Sequence, residues 1–293
     1  SRTVPYGGTR STSINDREPG VVYYVKMCAR TIGGERGRMS NEVAGFCGGF
    51  WTWENLQTIG PGNGPISAKV LNGSIGVVYE NTGGVDMATG DGTTWSVGTA
   101  LPSGSSQSFV NWMDVAYGGG NYLVGAYTIE AGDAWVAIGN PGSWTTQRIH
   151  GDGSTAIGRP ESGNYLIVTA DDEEYAVLHT VPAPPGQLLL QTRPASGGAW
   201  TDTPVRTNFE CVDSVPTHAM RYVEGNLYIL SGALLEKEIY FGDQDGGWSW
   251  TNILPAGREY LGKNIDMLYM SDQFYAAAYD YGNFDLYLLN GAI

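Results

Sequence analysis

The sequence is short of charge, of cysteine and of long apolar runs. Only 16% of its 293 residues are charged, and there is no long stretch rich in Ala, Leu, Glu and Lys of the kind that favours long helices. The longest purely apolar runs are a few residues, so no helical membrane insertion is expected. The three cysteines, Cys28, Cys47 and Cys211, form no CxxC pair, which argues against a zinc site. We therefore expect no metal and no cofactor, and three free thiols are favoured over a Cys28–Cys47 disulfide.

The net charge of −14 is unevenly distributed along the chain. Residues 1–50 carry seven Lys or Arg and four acids, a net charge of +3, so the remainder carries −17. An acidic body repels phosphate backbones, so nucleic acid is not expected as a partner, whereas neutral sugars or cations are easier partners. The acidic run DDEE at 171–174 has carboxylates for calcium but lacks the spacing of a dedicated calcium loop, so a solvated charge run is favoured.

The abundance of Gly, at 43 residues, and of Tyr, at 18, indicates an all-β protein with many turns. Near the start, a Pro-Gly turn at 19–20 precedes alternating apolar residues, and a Gly-rich turn at 33–37 precedes a second strand at 40–46. The alternating positions are Tyr23, Val25, Met27 and Ala29. This pattern resembles the last strands of a fibronectin type III domain. The resemblance implies that residues 1–47 are part of such a domain; a two-stranded extension unrelated to that family is the alternative.

A Gly-rich turn followed by Trp recurs through the rest of the chain. GDGTTW ends at Trp95, GNPGSW at Trp144, SGGAW at Trp200 and QDGGWSW at Trp250. Counted from Trp53, the spacings are 42, 49, 56 and 50 residues. Units such as 113–149 divide into four short strands joined by hairpins. A period of about 40–50 residues with four strands in each unit is typical of the blades of a β-propeller.

We therefore predict a five-bladed β-propeller over 48–293. The blades are predicted at about 54–97, 98–146, 147–202, 203–252 and 253–293 plus 49–53. The last unit has three strands and no Trp strand, whereas the strand at Trp53 has no preceding three, so this N-terminal strand is expected to close the ring and remove exposed sheet edges. In the third unit, EEYAVLHTVPAPP is interpreted as an insertion.

The Gly-rich turns are predicted to join the third and fourth strands of each blade. Gly92 and Gly142 can adopt positive φ, and Asp91 can accept hydrogen bonds from backbone amides within its turn. These stretches resemble degenerate Asp-box turns of sialidase-like propellers and the SxDGxxW repeats of phage tail and bacterial surface propellers. The resemblance implies an architectural turn. The Trp residues expected to pack between neighbouring blades are Trp53, Trp95, Trp144, Trp200 and Trp250.

A glycan site is predicted on the face that gathers the loops between second and third strands. These loops are predicted at 79–86, 127–135, 169–177, 232–238 and 279–285. All five carry acids, and three begin at a matching tyrosine: Tyr79, Tyr127 and Tyr279. Sugar sites use flat aromatic faces beside carboxylates and amides. The candidate ligand-binding residues are Tyr127, Trp135, Tyr279, Tyr281 and Asn283. A solvated acidic rim with tyrosines over the blade edges is the alternative.

Two further acids, Asp114 and Asp266, occupy equivalent positions at the start of a first strand, where they would line the central channel. Channel carboxylates are candidates for the acid and base of glycoside cleavage. The matching position in another unit is Ala219, and a buried strand-cap aspartate is the alternative. The histidines have no Ser or Cys partner motif, so a nucleophilic triad gets no support.

A fibronectin-like segment followed by Gly-, Tyr- and Trp-rich blades resembles bacteriophage tail-fibre or tail-tip proteins. The resemblance implies a surface-exposed binding module on a virion tail or at an extracellular surface. Its expected partners are a bacterial surface glycan or receptor and other virion tail proteins, and a homo-oligomer such as a trimer is left open. Two alternatives are a structural virion or scaffold component without a small ligand, and a polysaccharide-degrading glycosidase; a non-enzymatic role is favoured.

Overall fold

The computed structural model divides the chain into two compact units, Ser1–Leu56 and Gln57–Ile293. The residues that it describes are 22–25, 28–30, 36–39, 43–46, 66–81, 84–102, 109–128, 133–151, 166–181, 187–207, 218–233, 238–244, 247–254, 261–280 and 285–292. All regular structure within these ranges is β-strand. No helix in the described part of the chain is long and apolar enough to cross a membrane.

The described residues of the N-terminal unit form four short strands in antiparallel pairs. They are β1 (Val22–Val25), β2 (Cys28–Arg30), β3 (Arg36–Met39) and β4 (Val43–Phe46). β1 pairs with β4, and β2 pairs with β3. Of the Gly-rich turn predicted at 33–37, residues 36–37 belong to β3 and residues 33–35 lie outside the described ones. The resemblance to a fibronectin type III domain rests on the sequence alone.

The described residues of the unit Gln57–Ile293 form five antiparallel sheets, each built from strands consecutive in the chain. The first sheet comprises β5 (Ile66–Leu71), β6 (Ser74–Asn81), β7 (Gly84–Gly90) and β8 (Trp95–Pro102). The second comprises β9 (Phe109–Gly118), β10 (Asn121–Thr128), β11 (Ala134–Asn140) and β12 (Ser143–His150). The third comprises β13 (Leu166–Ala170), β14 (Glu174–Val181), β15 (Gln187–Pro194) and β16 (Thr201–Thr207). The fourth comprises β17 (His218–Val223), β18 (Asn226–Ala233), β19 (Glu238–Asp243) and β20 (Ser249–Asn252), and the fifth β21 (Leu261–Met270), β22 (Gln273–Asp280) and β23 (Asp285–Ala292).

The sheets pack face to face in chain order, with their first strands β5, β9, β13, β17 and β21 side by side. Each interface is a separate apolar core, because every sheet is apolar on both faces. Val78 and Val115 lie in the core between the first and second sheets, and Leu178 and Ile229 in the core between the third and fourth. No closed ring is found among the described residues. The strand predicted to close it, at 49–53, lies outside them, so closure and the count of five blades stay predictions.

The third sheet differs from its sequence interpretation. The segment EEYAVLHTV is not an insertion, because Glu174–Val181 forms the second strand, β14, paired with both β13 and β15. The stretch 169–177, predicted as a loop between second and third strands, therefore covers the end of β13, the hairpin and the start of β14. In that hairpin Asp171 Oδ1 accepts the N–H groups of Glu173, at 2.8 Å, and Glu174, at 2.7 Å, which gives this carboxylate a role in the turn.

A β-bulge recurs between the third and fourth strands of three sheets. The register shifts at Val85/Asp86, Ala134/Trp135 and Leu188/Leu189, and the residues skipped on the fourth strands are Ala100, Ile149 and Val205. A bulge frees backbone groups from the ladder. Two of the freed carbonyls are bonded by the next sheet, because Gln191 Nε2 donates to Ile149 O at 2.9 Å and Trp250 Nε1 donates to Val205 O at 2.9 Å.

The turn between β7 and β8 is organised by Asp91 and Gly92. Asp91 Oδ1 accepts the N–H groups of Thr93 and Thr94, each at 2.8 Å, and also their hydroxyls. The backbone N–H of Thr94, first among these donors, holds the pKa of Asp91 below its usual range. Gly92 has φ of 93° and Gly142, in the corresponding turn of the second sheet, 94°.

The tryptophans that follow these turns occupy related places. Trp144, Trp200 and Trp250 each pack into the apolar core shared with the preceding sheet. Trp95, in the first sheet, packs with Val77 and Tyr79 on the face turned away from the second sheet. Trp53 lies outside the described residues.

Candidate functional site

The predicted sugar residues Tyr127 and Trp135 lie where β10 ends and β11 begins. Tyr127 is buried, and burial first and Asp133 second raise its pKa. Asp133 is fully buried and lies 3.6 Å from the guanidinium of Arg148. Trp135 is half-buried and pairs across the ladder with Arg148. Trp135 is thus the part of this pair with surface to offer a ligand, whereas Tyr127 belongs to the core.

Of the three tyrosines predicted to be equivalent, Tyr79 does not share the register position of Tyr127 and Tyr279. Counted from the first residue of the second strand, Tyr127 and Tyr279 both stand six residues along, after Asn121 and Gln273, whereas Tyr79 stands five residues after Ser74. A shift of one residue sends a side chain to the opposite face of its sheet. Tyr79 accordingly lies on the face turned away from the second sheet. The side chains of Tyr279, Tyr281 and Asn283 lie outside the described residues.

One aromatic position on the third strand recurs in three sheets. Trp135 is opposite Ala126, Tyr240 opposite Ser231 and Tyr287 opposite Ala278, and these partners share one register position in their second strands. All three rings are half-buried at the end of the sheet where the loop between second and third strands begins. An aromatic ring at this position is therefore part of the repeat. Sequence reasoning identified it only in the second sheet, as Trp135, and missed Tyr240 and Tyr287.

Between the third and fourth sheets, this ring faces a cation. The guanidinium carbon of Arg206, on β16, lies 3.9 Å from the centroid of the Tyr240 ring, on β19. Both side chains are half-buried. His218 is buried, and burial first and Arg206 second lower its pKa to about 3, so it is neutral at physiological pH. The half-buried guanidinium over the Tyr240 ring brings a cation and a flat aromatic face together where the third and fourth sheets meet.

The corresponding place between the second and third sheets holds a buried polar network. Gln191 Nε2 donates to Ile149 O at 2.9 Å and to Asp202 Oδ1 at 2.8 Å. Since both amide protons are used, Gln191 Oε1, 3.1 Å from His179 Nε2, accepts from that nitrogen. Burial, and then the ring of His150 at 4.9 Å between centroids, lower the pKa of His179 to about 3. Gln191 thus uses both of its amide protons and its carbonyl oxygen, and its bond to Ile149 O joins the third sheet to the second.

The two channel candidates, Asp114 and Asp266, do occupy equivalent positions, each accepting the N–H of its own next residue. Asp114 is buried and also contacts Lys69 Nζ at 2.6 Å, Ser67 Oγ at 3.1 Å and the N–H of Val168 at 3.1 Å. It thereby joins three consecutive sheets.

Asp266 lies 3.6 Å from Arg221, which holds the position of Lys69 in the fourth sheet, and its side chain is 77% exposed. The contacts of Asp114 are those of a structural carboxylate. In the described part of the chain, no cluster of three or more His, Cys, Asp or Glu side chains is arranged to hold a metal ion.

No family model matches the chain, and no curated protein matches it. Solved structures do resemble it. A variant of the lectin of Aleuria aurantia, in complex with α-methyl-L-fucoside, matches with a TM-score of 0.54 and 15% identity over 90% of this chain and 86% of the lectin. The SapL1 lectin, in complex with α-methyl fucoside, has a TM-score of 0.49 and 14% identity over 92% of each chain. A further structure of the Aleuria aurantia lectin, described as a six-bladed β-propeller, has a TM-score of 0.44 and 12% identity over 75% of this chain and 74% of the lectin.

At these identities the likeness concerns the fold. It supports the assignment of Gln57–Ile293 to the β-propeller class, in agreement with the five consecutive sheets that its described residues form. Phage tail proteins and fibronectin domains do not figure among the structures just named.

Proposed function

We propose that this protein is a carbohydrate-binding β-propeller without catalytic activity, and that its sugar site lies at Arg206 and Tyr240, where the third and fourth sheets meet. The observation that carries the proposal is the Arg206 guanidinium over the Tyr240 ring, 3.9 Å from its centroid. Sugars present a patch of C–H groups to a flat ring and pairs of hydroxyls to a fork of donors. The lectins of like fold bind fucosides, which makes a fucosylated glycan the first ligand to test.

The biological setting is proposed from the sequence. A binding module at the tip of a phage tail would present this site to bacterial surface polysaccharide. The acidic body suits a neutral glycan better than a polyanion, because like charges repel at close range. Trp135 is the rival site, since it occupies the register position of Tyr240 two sheets earlier.

The test uses the full chain on an array that contains fucosides and bacterial surface polysaccharides, followed by titration calorimetry with the best ligand. Tyr240→Ala and Arg206→Met are expected to weaken binding at least about tenfold each, because hot-spot aromatic and Arg side chains dominate small interfaces. Thr146→Ala, on the exposed outer strand of the second sheet, is the matched control and should bind normally.

The outcomes separate the alternatives. Loss of binding in Trp135→Ala but not in Tyr240→Ala would move the site to the second sheet. Release of new reducing ends would contradict a purely binding role and direct attention to Asp114 and Asp266. The absence of binding across the whole panel would leave the structural virion component as the better interpretation.

A further inference from the structure

The β-bulge in the third sheet decides which way Arg206 points. In a regular strand, consecutive side chains point to opposite faces of the sheet. Val205 and Arg206 are consecutive on β16, yet Val205 lies in the core shared with the fourth sheet and Arg206 lies over Tyr240 of that same sheet. The register explains this, because Leu188 is opposite Arg206 and Val205 is the extra residue of the bulge. Without the extra residue, Arg206 would point toward the second sheet.

The bulges of the first and second sheets direct pairs of residues in the same way. Ala100 and Leu101 of the first sheet pack into the core shared with the second. Ile149 packs into the core shared with the third sheet, and the ring of His150 lies beside His179 of that sheet. The place of Arg206 is thus held by Leu101 and His150 in the other two bulges. The third sheet uses this recurring feature to present an arginine, which is always charged.

The carbonyl that the bulge frees is held from the fourth sheet. Trp250 Nε1 donates to Val205 O at 2.9 Å, across the interface that Arg206 also faces. This carbonyl belongs to the peptide unit that joins Val205 to Arg206, and a peptide unit is planar and rigid. A hydrogen bond at Val205 O therefore fixes the direction in which the chain enters Arg206.

The Trp250 ring lies over Gly242. The two residues are opposite each other in the ladder of β19 and β20, and a Cβ at Gly242 would lie 2.8 Å from the indole ring. Tyr240 stands two residues before Gly242 on β19 and therefore points to the same face of the fourth sheet. Trp250 thus packs on the strand that carries Tyr240 and bonds the peptide unit that leads into Arg206.

We propose that Trp250 is the positioning residue of the sugar site, because its indole N–H holds the bulge that turns Arg206 toward Tyr240. The inference rests on the proposed function in taking Arg206 and Tyr240 as that site. Trp250 thereby has a part in binding as well as the packing role predicted from the sequence. Trp144 holds the corresponding place in the second sheet, but its buried Nε1 has no hydrogen-bond partner in the described part of the chain.

The test measures the affinity of full-chain variants for α-methyl-L-fucoside by titration calorimetry. Trp250→Phe keeps an aromatic ring but removes the donor, and it should weaken binding about fivefold, the equivalent of one lost hydrogen bond. Gly242→Ala keeps every hydrogen-bonding group but displaces the indole, so it should also weaken binding. Trp144→Phe removes an indole that bonds no described residue, and this matched control should bind like the wild type. Circular dichroism checks that each variant is folded.

A double-variant cycle separates positioning from a general loss of stability. In an Arg206→Met background, Trp250→Phe should change the affinity by less than about twofold, because no guanidinium is left to position. Equal losses of affinity in both backgrounds would overturn the inference while the proposed function stands. Wild-type affinity in both Trp250→Phe and Gly242→Ala would have the same meaning.

A second cycle uses no sugar. The urea midpoints of the wild type, Trp250→Phe, Arg206→Met and the double variant should be non-additive, because Trp250→Phe already releases Arg206 from Tyr240. A wild-type protein that binds no sugar contradicts the proposed function, and the urea cycle then decides the positioning by itself. Additive midpoints would show that Trp250 does not hold Arg206 in place.

Discussion

Replacing Gln191 with leucine tests the polar network between the second and third sheets. The side chain is fully buried and makes three hydrogen bonds, to Ile149 O, Asp202 Oδ1 and His179 Nε2. In Gln191→Leu, the carbonyl of Ile149 and the N–H of His179 lose their partners inside the protein, whereas the exposed Asp202 is hydrated. At roughly 1–3 kcal/mol for each of these two unpaired buried groups, the free energy of unfolding should fall by about 2–6 kcal/mol.

Urea denaturation followed by tryptophan fluorescence measures this loss. Asp202→Asn is the control, because an exposed partner should cost less than about 0.5 kcal/mol. Adding His179→Leu to Gln191→Leu removes the orphaned donor, so the double variant should be more stable than the sum of the single effects by about 1–2 kcal/mol. A Gln191→Leu protein as stable as the wild type, or strictly additive effects, would refute the assignment of this network.

Two further predictions concern acid stability and turn strain. His179 and His218 have an ordinary pKa of 6.5 in the unfolded chain and a pKa of about 3 in the folded protein. The unfolded state therefore binds more protons between these two values, and the stability present above pH 6.5 is lost as the pH falls. His179→Leu should reduce the slope of the unfolding free energy against pH by about 1.4 kcal/mol per pH unit between pH 6 and 4, measured by urea midpoints, and an unchanged slope would contradict the burial of a neutral histidine. Gly92→Ala should lower the free energy of unfolding by about 1–2 kcal/mol, because φ is 93° at a position with room for a methyl group. Gly291→Ala, at a position that is also open but has no positive φ, should be close to neutral in thermal unfolding. Equal losses of stability in the two variants would show that backbone strain is not the cause.

Two sequence predictions were wrong, and both errors come from the way side chains alternate along a strand. EEYAVLHTVPAPP was interpreted as an insertion, whereas Glu174–Val181 within it forms a strand whose six central residues are all buried. A strand covered on both faces has no polar side to reveal its period, so only length and neighbouring turns could identify it. The mismatch of Tyr79 has a related cause, since one residue of hairpin length decides which face a side chain takes.

The sequence by itself determined the local features of this protein: all-β structure, the Trp spacing, the turn at Asp91 and Gly92, and the equivalence of Asp114 and Asp266. These depend on interactions within a few residues or on internal repetition, both of which are legible in one chain. Only the tertiary structure brought Arg206 onto Tyr240 and placed Gln191 against Ile149, because these pairs join different sheets. Which side chains meet across such an interface depends on the register of whole strands and on the packing of one sheet against the next. No short stretch of sequence determines either of these.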